Sequence, residues 1–151
     1  MKKQISLFKP GDIQKSAIKI KKKNQKKEES LQLAISKYIK LQYPDAIFNC
    51  DLASGMRLPI HIAAKAKAQR SSRGQPDLII LEPKASFHGL CIELKKDKES
   101  VLKVDGSFKK NKHIEEQSKM LNRLWNKGYY TCFGYGFDDT KRIIDWYFSI
   151  Q

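Results

Sequence analysis

The chain has 151 residues, 40% of them hydrophobic, which suffices for one ordinary core and leaves little for a second, so we expect one compact domain. The formal net charge is +14, which favours a polyanionic partner. No apolar run approaches the ~20 residues of a membrane span, and we expect no membrane association.

Residues 1–27 carry ten lysines and one acid, Asp12, and so hold +9 of the total charge. So many like charges with so few apolar side chains cannot offset the entropy of ordering, and we expect a basic, flexible N-terminal arm. Nucleic acid is the favoured partner of such an arm. A basic tail that only aids solubility is the alternative, because charge alone never identifies a partner.

The cysteines and histidines predict neither a disulfide framework nor a zinc site. The cysteines are far apart in apolar runs, as expected of buried thiols in a reducing cytoplasm, and the lysine-rich start lacks the apolar stretch of a signal peptide. The histidines are too scattered for a zinc-binding helix, and none is assigned to metal. These residues are Cys50, Cys91, Cys132, His61, His88 and His113.

The first element in chain order is an amphipathic helix over residues 28–42, because apolar residues recur there at spacings of three and four. Pro44 ends the pattern. The stretch AIFNCDL (46–52) predicts a short strand. Residues 53–73 are left open, because the helix-compatible IHIAAKAKAQ is flanked by glycine, proline and serine.

Two further strands, PDLIIL (76–81) and LCIELK (90–95), precede a hydrophilic loop over residues 95–112 with seven lysines and three acids. HIEEQSKMLNRLWNKG (113–128) predicts a helix that ends at Gly128, where positive φ is easily adopted.

The C-terminal part predicts one more strand and one more helix. YTCFGYGF has strand character, and Asp138 or Asp139 is expected to cap the helix TKRIIDWYF. The order α-β-β-β-α-β-α predicts an α/β fold with a mixed sheet flanked by helices.

Charged side chains interrupt the two strands on either side of Ala85. If these strands form a hairpin centred near Ala85, opposed residues have numbers that sum to 170. This register pairs Asp77 with Glu93 and Ile79 with Cys91. The two carboxylates are then neighbours.

The strand period of two places Glu93 and Lys95 on one face of the hairpin. We therefore expect the apolar face to be buried without burying charge. The alternative is a surface hairpin in which Asp77 is only a turn residue and Glu93 and Lys95 form a weak, exposed ion pair. The apolar face consists of Leu90, Ile92 and Leu94.

Adjacent carboxylates repel and raise each other's pKa unless a cation lies between them. A set of oxygen ligands without cysteine or histidine favours Mg²⁺, or Mn²⁺ as a substitute, held by Asp77 and Glu93 with the backbone carbonyl of Leu94 and waters. Such an ion would polarise a phosphodiester oxygen. Lys95 would hold the attacking water or offset charge in the transition state.

Two helices offer further residues for this site. Gln117 is a polar residue on the core-facing stripe of its helix and can reach the carboxylate face, or else it points to solvent. Glu28 shares a helix face with Gln32 and would add a third carboxylate. Glu29 competes for this position, and acids are favoured in a first helical turn whatever the function.

At these residues the sequence resembles the PD-(D/E)xK nucleases, through Pro76-Asp77 and Glu93-Leu94-Lys95. It is also similar to their VRR-NUC branch over residues 28–150. The further similarities are Gly74-Gln75-Pro76-Asp77, Glu28 with Gln32, Gln117, and Gly128-Tyr129.

The resemblance implies a restriction-endonuclease-like fold for residues 28–151 and Mg²⁺-dependent DNA cleavage. It assigns Asp77, Glu93, Lys95 and Gln117 to catalysis, and Glu28 less securely to the metal. Stand-alone, phage-type members are similar in size, and some act as dimers on branched DNA such as Holliday junctions. That implies the cytoplasm of a bacterial or phage-infected cell and a connection to DNA repair or to a phage.

The expected function is that of a metal-dependent DNA endonuclease. One alternative is a non-catalytic nucleic-acid-binding module, which would tolerate changes at Asp77 and Glu93. Another is a nuclease subunit that is active only within a larger repair or phage complex. The preferred DNA structure and the cleavage polarity are not encoded in any motif. A symmetric cut at a junction would need two sites and hence a homodimer.

Overall fold

The computed structural model describes residues 30–50, 59–69, 72 and 74–151. The predicted arm over residues 1–27 lies outside the described residues, as do Glu28 and Glu29. The elements are helix α1 (30–42), strand β1 (Phe48–Cys50), helix α2 (Ile60–Ala68), strands β2 (Leu78–Ile80) and β3 (Leu90–Lys95), a 3₁₀-helix (Lys98–Ser100), helix α3 (Lys112–Trp125), strand β4 (Tyr130–Tyr135) and helix α4 (Gly136–Ser149).

Within the described residues, four strands form one mixed sheet in the order β1-β2-β3-β4. The first two pairs are antiparallel, and β3 and β4 are parallel. A parallel pair needs a crossover connection, which α3 provides between β3 and β4. The predicted α/β fold with a mixed sheet flanked by helices is confirmed.

The hairpin of β2 and β3 has the register expected from the sequence. Leu78 lies opposite Ile92, and Ile79 lies opposite Cys91, as predicted. The turn passes through Ala85, which adopts a φ of 49°. Because the side-chain period of a strand is two, a slip of one residue would move every side chain to the wrong face.

One face of the sheet carries the hydrophobic core. The even-numbered residues of β2 and β3 pack there against two isoleucines of α1 and against Ile144 and Tyr147 of α4. The odd-numbered face of β3 is covered by α3, from which Gln117 reaches Glu93. Strand β3 is therefore buried on both faces. The core residues are Ile35, Ile39, Leu78, Ile80, Leu90, Ile92, Leu94, Ile144 and Tyr147.

The structure differs from the sequence-based expectations at two places. Residues 53–73, to which the sequence analysis assigned no secondary structure, include helix α2, which begins directly after Pro59. The last helix begins at Gly136, before the predicted caps Asp138 and Asp139. Tyr135 is the N-cap, and the Asp139 carboxylate supports this earlier start because it accepts a hydrogen bond from the Tyr135 amide at 3.0 Å.

The three thiols Cys50, Cys91 and Cys132 are all free, and only Cys91 is fully buried, so the expectation of three buried thiols holds in part. Among the described helices, none combines the length and the apolarity needed to cross a bilayer.

The core assignment predicts the effect of truncating β3. Ile92 is fully buried, so Ile92→Ala should lower the free energy of unfolding by about 2–5 kcal/mol. Val104 is fully exposed, and Val104→Ala should change it by less than about 0.5 kcal/mol. Urea denaturation measures both values. Similar values for the two variants would contradict the placement of the core.

Candidate functional site

The candidate site lies where β2 begins and β3 ends. Continuing the hairpin register by one residue places Asp77 opposite Glu93, and opposed residues project to the same face. Asp77 is 7% exposed and Glu93 is 2% exposed. The two carboxyl groups are therefore close neighbours in a buried environment.

Backbone and side-chain donors fix the Asp77 carboxylate. Gln32 of α1 donates from Nε2 to Oδ1 at 3.3 Å, and the Leu94 amide donates to Oδ2 at 3.0 Å. The amide and carbonyl of one strand residue point to the same side of the strand, so the Leu94 carbonyl also faces this side of β3.

Close packing brings the segment before Asp77 against α3. Gly74 has a φ of 75°, and a Cβ at this position would lie 2.9 Å from the backbone oxygen of Glu116. Only glycine fits such a conformation and such an approach. The next residue of α3 is Gln117, so this contact helps to position the helix that supplies it.

Glu93 has two donors on one oxygen. Its Oε1 accepts from Lys95 Nζ at 3.0 Å and from Gln117 Nε2. Its Oε2 is buried and has no hydrogen-bond donor in the described part of the chain, and Gln117 Oε1 likewise lacks one there. A buried oxygen acceptor without a donor costs folding free energy. These two atoms therefore indicate a bound ligand that is a cation or a hydrogen-bond donor.

Burial raises the pKa of Glu93 to about 8. The Asp77 carboxylate contributes to this rise, through its charge and through a hydrogen bond between the two carboxyl groups when Glu93 is protonated. The Lys95 ammonium lowers the pKa and offsets only part of the rise. Among the described residues, the site therefore lacks positive charge for two ionised carboxylates.

The expectation that the charged face stays unburied is wrong for Glu93. Helix α3 docks on this face and covers the carboxyl group, whereas the Lys95 side chain keeps 13% of its surface exposed. The alternative of an exposed surface ion pair is excluded by the same burial. Because these charged groups are buried, their ionised forms are costly in free energy.

The oxygen atoms present fit a hard divalent cation. Asp77, Glu93 and the Leu94 carbonyl provide oxygen ligands, and Mg²⁺ commonly binds one or two carboxylates and completes its shell with waters. No three carboxylate, imidazole or thiol side chains converge within residues 30–50, 59–69, 72 and 74–151. The expected third acid, Glu28, lies outside these residues.

The structure brings together Asp77, Glu93, Lys95 and Gln117, which the sequence singles out. It adds Gln32 as a donor to Asp77, and His113, whose Nε2 lies 3.0 Å from Gln117 Nε2. The sequence identifies Gln32 only as a neighbour of Glu28 on one helix face. The spacing of four between His113 and Gln117 on α3 is the available signal for the second contact.

Comparison with solved structures identifies the fold. A structure described as "VRR_NUC domain protein" matches with a TM-score of 0.58 and 24% sequence identity, over 82% of this chain and 88% of that chain. The chain therefore has the fold of a VRR-NUC domain, as the sequence resemblance implied. No protein-family model matches the sequence, and no curated protein does.

The raised pKa of Glu93 predicts how stability depends on pH without metal. In the unfolded chain this carboxyl group has the ordinary glutamate pKa of 4.5, so between about pH 4.5 and about pH 8 the folded state binds the additional proton, and stability falls as the pH rises. Glu93→Gln removes this loss. The free energy of unfolding of this variant relative to wild type should grow by at most about 1.4 kcal/mol per pH unit through this window and then level off.

Urea denaturation in EDTA between about pH 5 and about pH 9 measures this difference. Glu99→Gln is the matched control, because Glu99 is an exposed carboxylate in the following 3₁₀-helix. This control should follow the pH profile of wild type. Parallel profiles for wild type and Glu93→Gln would contradict the raised pKa.

Proposed function

We propose that the chain is a Mg²⁺-dependent DNA endonuclease that hydrolyses phosphodiester bonds. The observation that carries the proposal is the buried pair of Asp77 and Glu93 beside Lys95, in which Glu93 Oε2 has no donor in the described residues. Two carboxylates could hold a cation that activates water and polarises a phosphate, a lysine could stabilise the developing charge, and the VRR-NUC fold supports the assignment.

Asp77, Glu93 and the Leu94 carbonyl would hold the cation, with Glu28 as a further candidate. A Mg²⁺ or Mn²⁺ ion at this position would polarise the phosphate and increase the acidity of water. Gln32 and the Leu94 amide keep Asp77 oriented, and Gln117 keeps Glu93 Oε1 engaged. Glu93 Oε2 would then be left to bind the cation.

The position of Lys95 supports a role in orienting the attacking water. Its ammonium lies 3.0 Å from Glu93 Oε1, and its side chain remains partly exposed. In hydrolysis, water oxygen attacks phosphorus, the bond from phosphorus to the leaving sugar oxygen breaks, and negative charge grows on the phosphate. Lys95 would orient the water and stabilise this charge.

The distribution of charge supports DNA as the substrate. Loop 95–112 continues directly from the site with seven lysines and three acids, and the arm over residues 1–27 adds ten lysines. These residues would contact phosphates and make binding dependent on salt concentration. If the enzyme cuts branched DNA symmetrically, it would act as a homodimer, because each strand needs its own site.

The first prediction of this function concerns cleavage. Asp77→Asn, Glu93→Gln and Lys95→Ala should each reduce the rate at least about 100-fold while DNA binding persists, because each change affects the cation or the water. Lys40→Ala is the matched control for Lys95→Ala. Lys40 is exposed on α1 and lies outside both the site and loop 95–112, so its loss should leave cleavage nearly unchanged.

The assay uses labelled linear, flap and four-way DNA with Mg²⁺, Mn²⁺ or chelator. Full cleavage by Asp77→Asn or Glu93→Gln would remove the metal-site hypothesis. Binding of DNA without cleavage of any substrate by the wild-type chain would favour a binding module or a subunit that needs partners.

A second prediction concerns cation binding without DNA. Mn²⁺ should raise the melting temperature of the wild-type chain, because an ion that binds only the folded state stabilises it and relieves the repulsion between the acids. Asp77→Asn should lose this gain, whereas Glu99→Gln should keep it. Melting curves with and without Mn²⁺ measure the shifts, and equal shifts in wild type and Asp77→Asn would place the ion elsewhere.

A further inference from the structure

A row of side chains continues from the carboxylates to the neighbouring strand. In the parallel pair of β3 and β4, Phe133 lies beside Glu93, and Tyr135 lies beside Lys95. Paired residues project to the same face, and adjacent strands are about 5 Å apart. Two aromatic rings therefore lie directly beside the candidate catalytic groups, on the same face of the sheet.

These rings form an ordered surface with a third ring from loop 95–112. Phe133 and Tyr135 have centroids 6.4 Å apart and planes inclined by only 14°. Phe108 packs on Phe133 at 5.7 Å. We call Phe108, Phe133 and Tyr135 the aromatic platform.

The platform is open on its outer side. Phe108 is 49% exposed, and the two strand residues are partly exposed. An open groove of about 350 Å³ between α3 and β4 includes Phe133, Leu121 and Trp125 in its lining. A ring that only anchored the loop to the sheet would be expected to bury more of its surface.

Two lysines lie near the platform. Lys98 Nζ lies 5.9 Å from the centroid of the Tyr135 ring, and Lys109 follows Phe108 directly, with its ammonium donating to the Glu99 carbonyl. Both lysines are exposed. Aromatic rings next to cationic side chains bind unpaired nucleic acid, because bases stack on the rings while lysines contact the phosphates.

We propose that the aromatic platform stacks an unpaired DNA base next to the phosphate that is cleaved. A base within a duplex has both faces covered by its neighbours, so only a base outside the stack can offer a face to these rings. The platform therefore selects DNA that contains unpaired nucleotides. The position of the cleaved phosphate rests on the proposed function of Asp77 and Glu93, whereas the stacking surface does not.

The experiment measures binding of the full chain in EDTA, so that no cleavage intervenes. The probes are a blunt duplex and the same duplex with a short single-stranded tail that contains 2-aminopurine. The wild-type chain should bind the tailed DNA more tightly and quench 2-aminopurine fluorescence by stacking. Phe108→Leu should lower the affinity for tailed relative to blunt DNA at least about 5-fold and relieve the quenching.

Two variants separate stacking from packing. Phe108→Tyr retains an aromatic ring and should retain both the preference and the quenching. Trp146→Leu removes another exposed aromatic ring, which packs on Tyr130 at 4.7 Å from the α4 side, and should also leave both unchanged. Phe108→Leu keeps an apolar contact with Phe133, and its melting temperature shows whether the loop remains docked.

Three results would overturn the proposal: equal wild-type affinity for tailed and blunt DNA, unchanged quenching in a folded Phe108→Leu chain, or loss of a dimer in this variant without loss of the preference. The last result would assign the platform to a second copy of the chain at the edge strand β4. Cleavage is measured separately with Mg²⁺. Absence of cleavage with intact stacking would refute independent nuclease activity of the chain and leave the proposed stacking surface supported.

Discussion

Two carboxyl groups lie side by side in a buried part of the sheet, and the repulsion between them is the constraint that the surrounding residues answer. Asp77 receives hydrogen bonds from Gln32 and from the Leu94 amide, and Glu93 receives them from Lys95 and Gln117. These donors come from α1, β3 and α3. Without the docking of both helices, the carboxyl groups would lie in water and their repulsion would be screened.

The position of this pair depends on the hydrophobic core on the opposite face. Leu78 and Ile92 are opposed and fully buried, and they lie directly beside Asp77 and Glu93 in the two strands. A slip of one residue would turn these apolar side chains away from the core, so the core fixes the register. The same packing that stabilises the fold therefore also keeps the two acids next to each other.

The sequence contained the register of the hairpin but not the burial of its charges. Period-two alternation and a turn near Ala85 are local signals, and they predicted the pair Ile79 and Cys91, which the structure confirms. The burial of Glu93 depends on how α3 docks, which is a tertiary effect with no local signature. The bond between Gln32 and Asp77 joins residues 45 positions apart, and no spacing rule predicts it.

In the proposed nuclease, cation binding would be coupled to the free-energy cost of burying two carboxyl groups side by side. A cation bound between them would have to displace the proton that Glu93 holds up to about pH 8, and its charge would then offset the repulsion between the two ionised carboxylates. The core on the other face must then stabilise the chain sufficiently without the cation. Because the aromatic platform lies on β4 and loop 95–112 and contributes no carboxylate, selection of the DNA and activation of the phosphate would depend on separate residues on the same side of the sheet.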